Sequence, residues 1–371
     1  MNIFAKIYCR IFQTAFRMAL PVLPYREPEI IRSCAEIGKV AKKEKISSVL
    51  IVTDKGIVNN GLVDPVEAAL QASGVSYCIY ADTQPNPTVQ NVEDALQVYH
   101  VNHCDALIAV GGGSSMDCAK AVGARVAYPK RTVNQLGGKL KVWRKLPTLI
   151  AIPTTAGTGS ETTLAAMITD SKTHHKYAIM SFPLIPKYAV LDASLTYSLP
   201  PHLTSTTGVD ALTHAVEAYK DGSNHTAREN MLHAAYKAGI AFSKSYVGYI
   251  HAVAHSLGGK YGTHHGLSNA VVMSYVLESY GKSVYKKLHR LGIAAGVATE
   301  EDAHMTGAIK FINAVKVLNA SMNIPEKLLG IQKEDIPSLA KHAAKEANPL
   351  YPVPKLMTTK ELEQFYYQVA D

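Results

Sequence analysis

The stretch Ala106-Leu-Ile-Ala-Val-Gly-Gly-Gly-Ser-Ser-Met-Asp117 is the part of the sequence that decides the fold. Its apolar run Ala106–Val110 predicts a buried strand, and the following run Cys118–Val126 predicts a helix. Glycines between a strand and a helix let the backbone approach a phosphate closely, and the amide groups at the helix start attract the anion. The stretch therefore predicts a pyrophosphate-binding turn, with a tight turn that binds no ligand as the alternative.

A second glycine-rich turn, Pro153-Thr-Thr-Ala-Gly-Thr-Gly-Ser-Glu161, follows another apolar run and offers hydroxyl and amide groups to the same ligand. Farther upstream, the predicted strand Ser48–Thr53 ends at Asp54. A carboxylate at a strand tip accepts hydrogen bonds from a ribose diol and repels a 2′-phosphate, which favours NAD over NADP. Asp54 alone is equally well explained as a helix cap or a loop acid.

The rest of the first half repeats this alternation of strand and helix, which predicts an α/β fold with a parallel sheet. After Leu199-Pro200-Pro201 the strand patterns vanish and helical patterns continue to the C-terminus. We therefore predict three parts: an N-terminal amphipathic arm (1–29), an α/β dinucleotide-binding domain (30–200) and an all-helical C-terminal domain (201–371). The predicted strands are Ser48–Thr53, Tyr77–Tyr80, Ala106–Val110, Thr148–Ile152 and Tyr188–Leu191.

Composition excludes several classes of protein. The chain has 371 residues, 47% of them hydrophobic and 18% charged, without an apolar run of membrane-spanning length. Its five cysteines are odd in number and never form Cys-x-x-Cys, so we expect neither disulfides nor a thiolate zinc site, and a cytoplasmic location. The net charge of +8 is not concentrated on a nucleic-acid-binding motif, so no nucleic-acid partner is expected.

Residues 3–20 have the pattern of a basic amphipathic helix. No acidic residue precedes Glu27. Such a helix is expected to dock on the protein body or on a second subunit, and the alternative is an anionic membrane surface. The apolar face consists of Phe4, Ile7, Ile11, Ala15 and Met18, and the other face of Lys6, Arg10, Gln13 and Arg17.

Histidines and one aspartate in the second half have the spacing of metal ligands. Asp210 and His214 are four residues apart in a helical stretch, so both side chains project from one face. His251 and His255 repeat that spacing, and the doublet His264-His265 follows. Oxygen and nitrogen donors without sulfur suit Fe²⁺ or Zn²⁺. The remaining histidines are expected at solvated positions.

Four segments resemble the signatures of the iron-containing alcohol dehydrogenases: GGGSSMD (111–117), PTTAGTGSE (153–161), GVDALTHAVEAY (208–219) and HAVAHSLGGKYGTHHG (251–266). The resemblance extends from about Pro24 to the C-terminus. It implies an NAD-linked, metal-dependent dehydrogenase that interconverts a small alcohol and its aldehyde, with Fe²⁺ favoured over Zn²⁺, in a homodimer or larger homo-oligomer. The implied metal ligands are Asp210, His214, His251 and His265, and the implied cofactor contacts are Asp54, Gly112, Gly113, Ser114, Asp117, Thr154, Thr155 and Lys176.

In this interpretation the ion acts as a Lewis acid on the substrate oxygen while hydride passes to the nicotinamide. His255 is the candidate catalytic residue, which relays the alcohol proton; orienting a metal ligand is its alternative role. Lys176 is expected to bind the nicotinamide ribose or else to be an ordinary surface lysine.

The sequence departs from the family near residues 217–223, where about one helix is missing between His214 and the helical run Thr226–Ser243. Either the helical domain has rearranged, or residues are absent from the given sequence between Glu217 and Asp221. An inactive binding module is therefore one alternative function. A metal-dependent synthase or lyase of the dehydroquinate synthase superfamily is another, although no dense basic substrate pocket is evident near the metal segments.

Overall fold

The computed structural model describes residues 3–19, 24–171, 175–197, 225–245 and 247–371. They group into two compact units. One holds the described residues of 24–197 and 225–243, and the other those of 3–19 and 244–371. The three-part division at residues 29 and 200 stays a prediction, because residues 198–224 lie outside the described part of the chain.

A six-stranded parallel sheet forms the centre of the first unit, with the strand order β1-β9-β6-β4-β2-β3. All five predicted strands belong to it, within one residue at each end. A small second sheet has the order β5-β8-β7. The strands are β1 (Glu29–Ile31), β2 (Ser48–Val52), β3 (Ser76–Tyr80), β4 (Ala106–Gly111), β5 (Gly138–Lys139), β6 (Thr148–Pro153), β7 (Ala165–Asp170), β8 (His175–Met180) and β9 (Tyr188–Val190).

The parallel sheet is buried on both faces. In β2, Leu50 and Val52 pack into one hydrophobic core, whereas Val49 and Ile51 pack into another. Alternate side chains of a strand point to opposite faces, so two covered faces require a continuous apolar run. The helices of this unit are α2 (Ile37–Glu44), α3 (Lys55–Asn59), α4 (Asp64–Ala72), α5 (Val89–Val101), α6 (Gly113–Ala127), α7 (Val133–Leu136) and most of α8 (His225–Ser245).

The second unit is helical, and none of its described residues forms a strand. It comprises α1 (Ile3–Ala19), α9 (Tyr249–Tyr261), α10 (His265–Tyr280), α11 (Tyr285–Ala294), α12 (His304–Ser321), α13 (Ile336–Ala347) and α14 (Thr359–Val369). The predicted fold class, an α/β N-terminal part with a helical C-terminal part, is therefore confirmed. Within the described ranges, no helix combines the length and apolarity that a membrane span requires.

Helix α8 packs very closely on the second glycine-rich turn. Gly159 of that turn has a positive φ of 59°, and a Cβ added there would lie 2.7 Å from Cα of Gly239 in α8. A Cβ added to Gly239 would meet Thr162 Oγ1 and would lie 2.6 Å from the Gly159 carbonyl oxygen. Both positions therefore need glycine for the backbones to approach this closely.

We expect Gly239→Ala to destabilise the protein by about 1–3 kcal/mol, the usual cost of overpacking. Alanine in an unhindered helix would instead stabilise by about 0.5–1 kcal/mol, so the sign of the change tests the contact. Chemical denaturation measures it, and Lys237→Ala on the exposed side of α8 is the matched control. A stability gain in Gly239→Ala would contradict the close packing.

Candidate active site

The first glycine-rich turn leads from β4 directly into α6. Gly111 has a φ of 141°, and a Cβ added there would lie 2.6 Å from Ser115 Oγ. Gly112 is the N-cap of α6 in extended conformation and offers no side chain as a cap. The first amide groups of α6 thus remain available to an anion, which is the arrangement expected of a pyrophosphate site.

The two glycine-rich turns lie against each other. A Cβ added to Gly112 would lie 3.4 Å from Thr155 Oγ1, and the amide nitrogen of Thr154 donates to the Gly111 carbonyl over 3.0 Å. The hydroxyls of Ser115, Thr154 and Thr155 are buried without a hydrogen-bond partner in the described structure. Buried hydroxyls are normally paired, so this group of three fits a polar ligand held between the turns.

A buried lysine joins the second turn to α6. Lys120 Nζ donates to the Ser160 carbonyl (2.7 Å), to Thr163 Oγ1 (2.8 Å) and to the Ala165 carbonyl (2.9 Å). Burial lowers the pKa of Lys120 to about 8, against the opposing charge of Asp117. These bonds fix the turn that carries Thr154 and Thr155.

Asp117, a predicted cofactor contact, serves the same junction. Its carboxylate accepts from Ser160 Oγ and from the Met167 amide, both at 2.9 Å, and lies 3.9 Å from Lys120 Nζ. Burial raises its pKa, and Lys120 opposes that shift. Both carboxylate oxygens therefore have partners within the protein, so any effect of Asp117 on the cofactor acts through the turn.

Two other predicted cofactor residues also have contacts within the protein. Asp54 Oδ1 caps α3 by accepting from the Ile57 amide at 3.0 Å, as the helix-cap alternative proposed. Lys176 Nζ donates to Asn86 Oδ1 at 2.7 Å, and the Asn86 amide donates to Ser114 Oγ at 3.3 Å. Lys176 is thereby connected to the first turn by way of Asn86 and Ser114.

Three histidines of the predicted metal site converge. His251 and His255 lie one turn apart in α9, and His265 is the first residue of α10. The ring centroids are 5.9 Å apart for His251 and His255, 5.4 Å for His251 and His265, and 5.0 Å for His255 and His265. Two imidazoles that share one ion at about 2.1 Å bring their centroids to roughly 5 Å, so the spacing fits.

The protonation state of His251 also suits the binding of a cation. Desolvation, followed by the neighbouring His255, lowers the pKa of His251 to about 3. His251 is therefore neutral near pH 7, the form that binds metal. Asn269 Nδ2 lies 3.1 Å from His265 Nε2. The Asn269 side-chain amide must therefore move away if Nε2 is to bind the metal.

A carboxylate that the sequence did not single out orients His255. Glu346 Oε1 of α13 lies 2.7 Å from His255 Nδ1, and Tyr351 donates its hydroxyl to the same oxygen at 2.6 Å. Burial acts to raise the pKa of Glu346, but the charge and hydrogen bond of His255 hold it below the ordinary value. An ionised Glu346 accepts a hydrogen bond from Nδ1–H of His255, which leaves Nε2 as the ring nitrogen that can exchange a proton.

The other half of the predicted ligand set, Asp210 and His214, lies outside the described residues, as does the shortened segment near 217–223. Within the described ranges, no group of three or more His, Cys, Asp and Glu side chains is arranged to hold a metal ion. The predicted ligand set therefore stays a prediction.

Comparison with known proteins identifies the family. The family model for iron-containing alcohol dehydrogenase matches residues 31–193, and the model for the C-terminal part of that family matches residues 218–370. The 1,3-propanediol dehydrogenase of Citrobacter freundii is 34% identical over 385 residues, covering 95% of this chain and 98% of that relative. Alcohol dehydrogenase 4 of Schizosaccharomyces pombe is 35% identical, covering 92% and 88% respectively.

Solved structures agree with this. A crystal structure of 1,3-propanediol oxidoreductase has a TM-score of 0.88 at 30% identity, covering 93% of this chain and 99% of that one. Sulfoacetaldehyde reductase from Bifidobacterium kashiwanohense, in complex with NAD⁺, has a TM-score of 0.79 at 25% identity, covering 93% and 98%. The chain belongs to the iron-containing alcohol dehydrogenase family and is an oxidoreductase. These relatives favour neither alternative function from the sequence analysis, the inactive binding module or the metal-dependent synthase or lyase.

Glu161, at the end of the second turn, is expected to make stability depend on pH. It is buried, its Oε2 lacks a hydrogen-bond partner in the described structure, and burial raises its pKa from 4.5 to about 7. A group with a raised folded-state pKa contributes stability that is complete below pH 4.5 and lost as the pH rises to about 7.

We therefore expect the free energy of unfolding to fall between pH 4.5 and 7 by about 1–3 kcal/mol relative to Glu161→Gln, which cannot ionise. Urea denaturation across this range measures the difference. Glu300→Gln, at an exposed position, is the control and should follow the parent protein. A difference between parent and Glu161→Gln that does not vary with pH would show that Glu161 keeps its ordinary ionisation.

Proposed function

We propose that the chain is an NAD-linked dehydrogenase that uses one divalent metal ion to interconvert a small alcohol and its aldehyde. The observation that carries this proposal is the convergence of His251, His255 and His265 with Glu346 behind them. A bound divalent ion would supply Lewis acidity at the alcohol oxygen, and NAD would accept the hydride. Fe²⁺ is the proposed ion because of the family, and Zn²⁺ suits the same donors.

The proposed NAD contacts are supported by the geometry of the two glycine-rich turns. Gly112 and Gly113 leave room for the pyrophosphate at the start of α6, and the unpaired hydroxyls of Thr154 and Thr155 supply hydrogen bonds. Ser114 and Lys176 border the same turn through Asn86, and Asp117 holds the second turn in place. The NAD⁺ complex of the Bifidobacterium relative supports the choice of cofactor.

The proposed metal ligands are Asp210, His214, His251 and His265. One carboxylate and three neutral imidazoles leave a divalent site at a charge of +1, which favours binding of an alkoxide. The neutrality of His251 supports its assignment as a ligand.

His255 is the proposed proton relay. Its Nδ1 is committed to Glu346, so Nε2 is the atom that accepts the alcohol proton during oxidation and returns it during reduction. Tyr351, which donates to the same carboxylate, keeps Glu346 aimed at His255. Glu346 and Tyr351 are thus positioning residues for the relay.

The metal assignment is tested by His265→Ala. After anaerobic loading with Fe²⁺ and desalting, we expect the variant to retain at least about tenfold less metal, since loss of one ligand weakens the site severely. NADH binding, followed by fluorescence titration, should not change. Turnover of NADH with a short aldehyde should fall together with metal content.

His264→Ala is the matched control, because it removes the adjacent imidazole at an exposed position that the resemblance does not assign to the metal. It should load like the parent protein. Equal metal content in His265→Ala and the parent, or loss only in His264→Ala, would refute the ligand set.

Cofactor choice is tested by Asp54→Ser, which removes the carboxylate but retains an oxygen able to cap α3. We expect the ratio of kcat/KM for NADH to that for NADPH to fall by about tenfold, equivalent to about 1.4 kcal/mol. The physical reason is the loss of both the ribose hydrogen bonds and the repulsion of a 2′-phosphate.

Asp82→Gly is the control for Asp54→Ser. Asp82 pairs with Asp54 at the neighbouring strand end and carries the same charge. A ratio that falls equally in both variants would point to general electrostatics, and an unchanged ratio in Asp54→Ser would show that Asp54 does not contact the ribose.

A further inference from the structure

Helix α1 presents an apolar face to solvent. The five large apolar side chains on that face are 49% to 79% exposed. They recur at three-, four- and seven-residue spacing and so form one stripe along the helix. The stripe consists of Ile3, Phe4, Ile7, Ile11 and Met18.

The opposite side of α1 is attached to the helical unit by polar groups. Gln13 is buried and donates to the Tyr351 carbonyl at 2.7 Å. Arg10 Nη1 donates to the Val353 carbonyl at 2.8 Å, and Cys9 is buried beside them. Phe12 and Phe16 are half-buried on the same side of the helix. The inward side of α1 therefore combines polar and apolar groups, and the stripe is a second apolar surface that the helix leaves in solvent.

Positive charge accompanies the exposed stripe. Lys6 and Arg17 lie along one flank of α1, beside the anchored Arg10, and the helix contains no acidic residue. An apolar stripe with a cationic flank is the pattern of helices that lie in the plane of a membrane interface. The helix also precedes the segments that match the family models, which begin at residue 31.

We infer that α1 attaches this dehydrogenase to the surface of an anionic lipid membrane, with the apolar stripe inserted among the acyl chains and the basic flank on the headgroups. A second copy of the chain fits less well. Antiparallel pairing of two copies through the stripe would place both basic flanks on the same side of the pair, with no acid in α1 to offset them. Anionic lipid offsets that charge.

Co-sedimentation of the full chain with vesicles tests the inference. We expect binding to vesicles of equal parts phosphatidylglycerol and phosphatidylcholine, and about tenfold weaker binding to phosphatidylcholine alone. Ile11→Glu should weaken binding to the anionic vesicles by at least about tenfold, because it places a charge in the stripe. Replacing both Lys6 and Arg17 by glutamine should weaken it by about tenfold and reduce its sensitivity to salt.

Leu329→Glu is the matched control, since Leu329 is 82% exposed and lies outside α1; it should bind vesicles like the parent. Circular dichroism and NADH turnover of Ile11→Glu should equal those of the parent. Sedimentation equilibrium without lipid measures the oligomeric state of the parent and of Ile11→Glu, and so tests whether a second copy of the chain covers the stripe instead. Failure to bind anionic vesicles, equal loss in Leu329→Glu, or a change of oligomeric state in Ile11→Glu without a change in vesicle binding would each overturn the inference.

Discussion

In the α/β unit, the position of the second glycine-rich turn depends on the buried ammonium group of Lys120. It bonds to the Ser160 and Ala165 carbonyls and to the Thr163 hydroxyl, and thereby ties α6 to the second glycine-rich turn. Removing one partner of a buried charge costs about 3–5 kcal/mol, so these contacts strongly favour the observed position of the turn. Ser160, 40 residues from Lys120 in sequence, belongs to the same turn as Thr154 and Thr155, so this contact helps to hold the turn that carries their unpaired hydroxyls.

The histidine cluster likewise combines local helix geometry with one contact between residues distant in sequence. Local spacing in α9 brings His251 and His255 onto one face, and the start of α10 adds His265. The orientation of His255 comes from Glu346, 91 residues farther along the chain. In each unit, short-range geometry brings the candidate site residues together, and a contact between residues distant in sequence fixes their orientation.

The difference between local patterns and contacts over long sequence separations explains what the sequence could predict. The strand at 48–53 was predicted correctly because burial of both sheet faces demands an uninterrupted apolar run. The small sheet of β5, β7 and β8 was missed, since β5 has two residues and β7 contains polar positions. The expectation that His289 is solvated was wrong: it is 3% exposed, with Nδ1 3.0 Å from His304 Nδ1, because α11 packs on α12. Lys120 and Glu346 escaped notice because their partners are distant in sequence.

The orientation of α1 has a cause in the segment on which it lies. Residues 349–354 contain three prolines, which have no amide hydrogen to donate, so this segment cannot form a regular helix or strand. Its carbonyl oxygens still need donors. Arg10 donates to the carbonyls of Val353 and Pro354, and Gln13 donates to the carbonyl of Tyr351. These bonds turn the side of α1 that carries Cys9, Gln13 and the half-buried Phe16 inward, and the periodicity of the helix then places the exposed apolar stripe outward.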